Sequence, residues 1–255
     1  MAITIKNRRE IERMRDAGEV VALIHQRIAQ AIAPGVTTAD LDDIARQTLD
    51  ERGAVSSFLG YHGYPAHICA SVNEEIVHGI PARRALRNGD IISVDIGAIL
   101  HGFHGDAAWT YPVGEISEAA ALLLVDTEMA LNLAIAAAKT GNRLGAIGAA
   151  VEGFATPRGY GVIREYGGHG IGRQMHEDPH VPNHGAADRG VLLRTGMTLA
   201  IEPMLTTGGE ETRELADHWT VVTADGSLAS HFEHTVVVTP EGGQILTQRP
   251  LDPVY

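Results

Sequence analysis

Apolar positions in the first fifty residues recur at helical spacing. Ile11, Met14, Gly18, Val21 and Ile28 share one face of a segment that opens at Asn7, and Glu10 stands three residues on, as in a capping box. This predicts a helix to about residue 32, stopped by Pro34-Gly35. A second helix is predicted from Thr37, with Leu41, Ile44, Ala45, Thr48 and Leu49 on one side and Gly53 as its end. The period then changes. Residues 91–99 are apolar and β-branched and predict a strand, residues 101–105 a turn, and residues 106–113 a returning strand. Ser117 caps a predicted helix reaching about residue 139, ended by Gly141, and a fourth helix is predicted over about 142–156. Further strands are predicted near 197–201, 219–223 and 235–239.

The pattern repeats. Leu86-Arg-Asn-Gly-Asp-Ile-Ile-Ser-Val-Asp95 is echoed 107 residues later by Leu193-Arg-Thr-Gly-Met-Thr-Leu-Ala-Ile-Glu202, and the same offset carries His62-Gly63 onto His169-Gly170. Each copy follows a pair of helices interrupted at a glycine. Two related α/β halves facing each other would bring Asp95 and Glu202 together near a pseudo-twofold axis. No stretch reads as a linker.

Composition narrows the class. A chain of 255 residues can bury a sizeable core, and a net charge of −12 opposes binding to nucleic-acid phosphates. The acidity is either a solvated surface or, in part, carboxylates gathered around cations. The lone cysteine, Cys69, forms no disulfide within the chain and fits a reducing compartment. The start, Met1-Ala2-Ile3-Thr4-Ile5-Lys6, has no signal pattern, and residues 119–138 are interrupted by Asp126 and Glu128, so they make a poor membrane span. The expected location is the cytoplasm.

The chemistry lies at strand ends. Asp95 and Asp106 flank the predicted turn, and a hairpin centred on residues 100–101 would set them opposite each other. Two carboxylates that close need a cation between them or a proton on one. His169 stands among four glycines in Gly167-Gly-His-Gly-Ile-Gly172, a loop suited to a metal ligand; a phosphate cradle is the alternative, without the usual Lys-Ser/Thr ending. Glu202, before Pro203, and Glu233, in Phe232-Glu-His-Thr, also lie at the ends of apolar strands. Four carboxylates and one imidazole suit two divalent ions. His78 and His176 lie in loops beside Gly or Pro and are either substrate contacts or surface imidazoles without a role. His25, His101, His180, His184, His218 and His231 are given no role.

Seven stretches occur in order along the chain: Gly60-Tyr-His-Gly-Tyr-Pro, Val77-His-Gly-Ile-Pro, Ser93-Val-Asp-Ile-Gly, Phe103-His-Gly-Asp, Gly167-Gly-His-Gly-Ile-Gly, Ile201-Glu-Pro and Phe232-Glu-His-Thr. Together and in that order they resemble the methionine aminopeptidases, small members of the pita-bread metallopeptidases. The resemblance implies an α+β pita-bread fold, a curved antiparallel sheet inside and helices outside, as one catalytic domain over residues 1–255 with halves at about 1–116 and 117–255. It implies two divalent ions (Co, Mn, Fe, Zn or Ni), with Asp95 on one, His169 and Glu202 on the other, and Asp106 and Glu233 bridging. It implies removal of N-terminal methionine ahead of a small second residue, by attack of a bridging hydroxide on the first peptide bond, with Glu202 as proton acceptor. His78 would contact the scissile amide and His176 the carbonyl oxygen. Tyr61, Tyr64, Cys69 and Trp219 would wall the methionine pocket, as would Phe58, where a Cys is common, and Met175, where a Phe is common. Nascent chains are the implied substrate, the ribosome a candidate partner, and a monomer the expected state. The absence of an N-terminal extension and of a long helical insertion points to type I. Prolidases and Xaa-Pro aminopeptidases share a similar ligand set and are the alternative; a non-enzymatic binding module of the same fold is a more distant one.

Overall fold

In the computed structural model residues 3–248 are described; the ends at 1–2 and 249–255, included in the expected domain, lie outside the described residues. Four helices carry the outer layer: α1 (Arg8–Ala31), α2 (Thr38–Arg52), α3 (Glu118–Ala137) and α4 (Gly145–Ala155). The Asn7–Glu10 capping box starts α1, and a second box between Thr37 and Asp40 starts α2. Gly53, at φ 62°, ends α2 in the left-handed region where a side chain would be strained. The fourth helix begins three residues later than expected, because Arg143 is tied into a bridge with Leu192.

Every ladder between named strands is antiparallel. The strand Ile91–Leu100 runs between Phe103–Pro112 on one edge and Ile68–Val72 with Val55–Ser56 on the other. A five-stranded sheet orders Gly243–Ile245, His234–Val238, Thr198–Ile201, Gly168–Gly170 and Glu177–Val181. Two three-stranded sheets complete the inner layer. One core cluster draws on residues between Val20 and Val113; the largest is formed mainly by residues from Ala120 to Val238. By length and composition α3 could cross a membrane, yet Ala120, Leu123, Ala130, Leu131 and Ala134 lie in that core.

The hairpin register differs from expectation. The turn is His101-Gly102, both at positive φ (54° and 75°), so Leu100 pairs with Phe103. Asp95 therefore stands opposite Ala108, and Asp106 opposite Gly97. A shift of two keeps both aspartates on one face, because side chains alternate with period two. They meet diagonally rather than directly. His169 is not loop-bound either: it sits on Gly168–Gly170, between two other strands. Three residues with so little apolar content carry no readable period.

Segments far apart in the sequence are stitched along Phe103–Pro112. The Glu233 N–H donates to the Ala108 carbonyl at 2.8 Å. The Asp106 N–H donates to Thr235 Oγ1 at 3.0 Å, and that hydroxyl donates back to the Asp106 carbonyl at 2.8 Å. Two of the predicted acids are thus tied to the same seam.

Candidate metal centre

One ligand atom each from Asp106, His169 and Glu233 lies within 4.8 Å of the others, a cluster that can hold a metal ion. Asp106 comes from Phe103–Pro112, His169 from Gly168–Gly170, and Glu233 from the link into His234–Val238. Glycine is required around His169, since a Cβ at Gly168 would fall 2.2 Å from the Ala200 carbonyl oxygen, and one at Gly170 2.2 Å from that of Asp178. His169 Nδ1 lies 2.9 Å from the Gly170 carbonyl. A carbonyl only accepts, so Nδ1 carries the proton and Nε2 keeps its lone pair for a cation. Glu202 Oε1 is 3.8 Å from that Nε2.

Asp95 Oδ1, Asp106 Oδ1 and Glu233 Oε1 are buried without a hydrogen-bond partner among the described residues. Orphaned carboxylate oxygens are costly, and divalent cations are the partners that hard oxygens and one imidazole suit. Burial, and then mutual repulsion, raises Asp106 and Glu233 well above the carboxylate range. Burial likewise pushes Asp95 up to about 7. Glu202 behaves differently: burial pushes it up, but His231, His169 and His176 outweigh this and hold it below its usual value. Carboxylates that crowd until they prefer protons are carboxylates that a cation would discharge.

Above the acids lies a cavity of about 270 Å³. It is lined by Asp95, Asp106, His169, Glu202 and Glu233, by His78 and His176, and by Phe58, Tyr61, Tyr64, Cys69, Met175 and Trp219. Every residue singled out from the sequence is therefore brought to one space. Phe58, Tyr64, Ala66, Cys69 and Met175 form a buried apolar cluster against Tyr61, Ile80 and Trp219. Burial lowers His78, and burial together with His169 lowers His176 to about 4. His176 Nδ1 is 2.8 Å from the Tyr61 hydroxyl, and its ring lies 4.1 Å from that of His169.

Two imidazoles escaped the sequence reading. His62 also lines the cavity, and the repeat at His62-Gly63 was the signal that could have marked it. His231, given no role, is buried with Nε2 3.6 Å from Glu202 Oε2. Its place two residues before Glu233 was the only hint.

Comparison with known proteins agrees with this geometry. The metallopeptidase family M24 matches residues 12–240. Methionine aminopeptidase 1 of Bacillus subtilis is 49% identical over 96% of this chain and 99% of its own. The methionine aminopeptidase of Clostridium acetobutylicum is 51% identical over 96% and 98%. The crystal structure of the Thermotoga maritima methionine aminopeptidase superposes with a TM-score of 0.96 at 44% identity, covering 97% of this chain and all (100%) of the other. The Pyrococcus furiosus prolidase, at 21% identity and a TM-score of 0.78 over 66% of its chain, shares the fold alone.

Proposed function

The chain belongs to metallopeptidase family M24 and within it to the type I methionine aminopeptidases, and from that premise we propose how its residues divide the work. The activity is metal-dependent removal of N-terminal methionine. Asp95 would hold one ion and His169 with Glu202 the other, while Asp106 and Glu233 would be shared between them. When bound, two such ions supply Lewis acidity at a peptide carbonyl and lower the pKa of a water.

The remaining steps fall to the chain. Phe58, Tyr64, Cys69, Met175 and Trp219 take the methionine side chain, an apolar slot for a flexible thioether. His78 faces the scissile amide. The Tyr61 O–H donates a hydrogen bond to His176 Nδ1, which leaves the single His176 proton on Nε2, where it supports the carbonyl oxygen as that atom gains charge. Glu202, whose pKa His231 above all holds below the usual value, accepts the proton of the attacking water. A small second residue is the preference that the family resemblance implies. The protein acts as a monomeric single catalytic domain in the cytoplasm, on nascent chains at or near the ribosome; buried, free Cys69 suits a reducing compartment.

The observation that carries this reading is the convergence, on one cavity, of an apolar slot and three buried carboxylates that each have one oxygen without a partner among the described residues. The test is a peptide panel with Mn²⁺- or Co²⁺-loaded protein. Met-Ala-Ser should be cleaved and Met-Lys-Ser spared, and Asp106→Asn should lose bound metal and at least ~10³-fold in activity, the scale expected when a charge-stabilising group is lost. Faster cleavage of Xaa-Pro peptides would transfer the chain to the prolidase reading, and wild-type turnover by Asp106→Asn would refute the bridging role.

A further inference from the structure

His231 lies on the strand Ala229–His231, paired with Met204, two residues past Glu202. Its backbone is pinned by a single hydroxyl. The His231 N–H donates to Thr110 Oγ1 at 3.0 Å, and the His231 carbonyl accepts from that same Thr110 Oγ1 at 2.9 Å. The anchored main chain leaves the ring little freedom. The residue is 2% exposed, and Nε2 has no hydrogen-bond partner among the described residues.

That nitrogen faces Glu202. Oε2 is 3.6 Å from His231 Nε2, and Oε1 is 3.8 Å from His169 Nε2. One carboxylate thus stands between two imidazoles, one on each oxygen, and the two are not equivalent. His169 has its proton committed to Gly170 and presents a lone pair. A lone pair from His231 would repel Oε2, whereas an N–H would attract it. The distance is just beyond a formed hydrogen bond and closes with a small rotation of either side chain.

We propose that His231 Nε2–H donates to Glu202 Oε2 and so reserves Oε1 for the ion that Glu202 shares with His169. His231 is then a positioning residue, acting through Glu202 rather than on substrate. A carboxylate with both oxygens free can rotate or bind an ion through both; a donor on one oxygen removes those alternatives, which is how outer partners tune metal ligands. The proposal rests on the assignment of Glu202 as a ligand.

The test is metal binding rather than turnover. Metal-free protein is titrated with Co²⁺ by calorimetry, and the visible spectrum of bound Co²⁺ is recorded. Wild-type protein should take up two ions. His231→Leu, of similar bulk without a donor, should bind the weaker ion ~10–100-fold less tightly with an altered spectrum. His231→Gln, which keeps an N–H, should stay within about threefold of wild type. Should His231→Leu fail to fold, judged by melting of the metal-free form, His231→Asn replaces it, its shorter amide stopping short of Oε2, with the same loss expected. Wild-type affinities and spectrum in the donor-free or shortened variant overturn the proposal. So does a His231→Gln loss as large as that of His231→Leu, which would make the imidazole a direct ligand. A wild-type protein that binds no Co²⁺ removes the ligand assignment itself, and the proposal with it.

Discussion

Five acids and imidazoles in a small volume reach opposite states for identifiable reasons. Asp95, Asp106 and Glu233 see mainly burial and one another, and their pKa values rise. Glu202 sees imidazoles on both sides, and its value falls. His176 is buried beside His169 and drops to about 4, so it is neutral at working pH and can donate to an oxygen without carrying a charge of its own. For His176→Ala, kcat should fall ~10²–10³-fold with little change in KM, as for a donor engaged mainly in the transition state. Steady-state kinetics on Met-Ala-Ser would show this; a change confined to KM would leave His176 as a simple binding group. These residues were legible because each stands in a short string with its own glycines, prolines and flanking strand. His231 was not, because its partner Glu202 lies 29 residues away and across a strand pair.

Elements with long runs were readable and short ones were not. Helix α1 and the strand Ile91–Leu100 each have enough residues to show a period, but two-residue strands such as Gly161–Val162 do not. The hairpin was placed correctly and mis-registered by two positions, since the turn depends on His101 adopting positive φ, which its identity does not announce. Close approach of α1 to its neighbours depends on glycine. A Cβ on Gly18 would lie 2.1 Å from the Leu246 carbonyl oxygen, and one on Gly105 would lie 2.8 Å from the Gly18 nitrogen. Both obstacles are backbone atoms, so neither can swing aside. Gly18→Ala should cost about 1–3 kcal/mol, or more if the C-terminal segment is displaced. Urea unfolding of the metal-free protein would measure it, and unchanged stability would mean that α1 can slide off the sheet.

At the scale of the whole molecule, the 107-residue echo pointed to Asp95 and Glu202 meeting, and both line one cavity; the seam beside them was invisible because it runs through Thr110 and Thr235 hydroxyls and a backbone bond from Glu233 to Ala108. Packing the acids together has a cost that depends on pH. Their folded pKa values lie above the unfolded ones, Asp95 at about 7 against 3.8. Groups shifted this way stabilise the fold below the unfolded value, and that stability is lost as pH rises through the folded one. Chelated protein should therefore melt at lower temperature as pH climbs from about 4 to about 7. Cations neutralise the cluster, so the loaded protein should be spared, with Tm higher by roughly 5–10 °C at an ion concentration about a hundred times Kd. Scanning calorimetry with and without chelator at pH 5 and pH 8 would check both statements; a gap that fails to widen at pH 8 would contradict them.

The seam between Asp106 and Thr235 also has a consequence for how the molecule is made. Ions need groups spread from Asp95 to Glu233, and Glu233 is the last of the five to be translated. A chain still threading out of its own synthesis can shape α1, α2 and the first hairpin, yet it owns only part of a metal cage. Competence therefore comes late and all at once, so a prematurely terminated copy would be inert rather than unregulated.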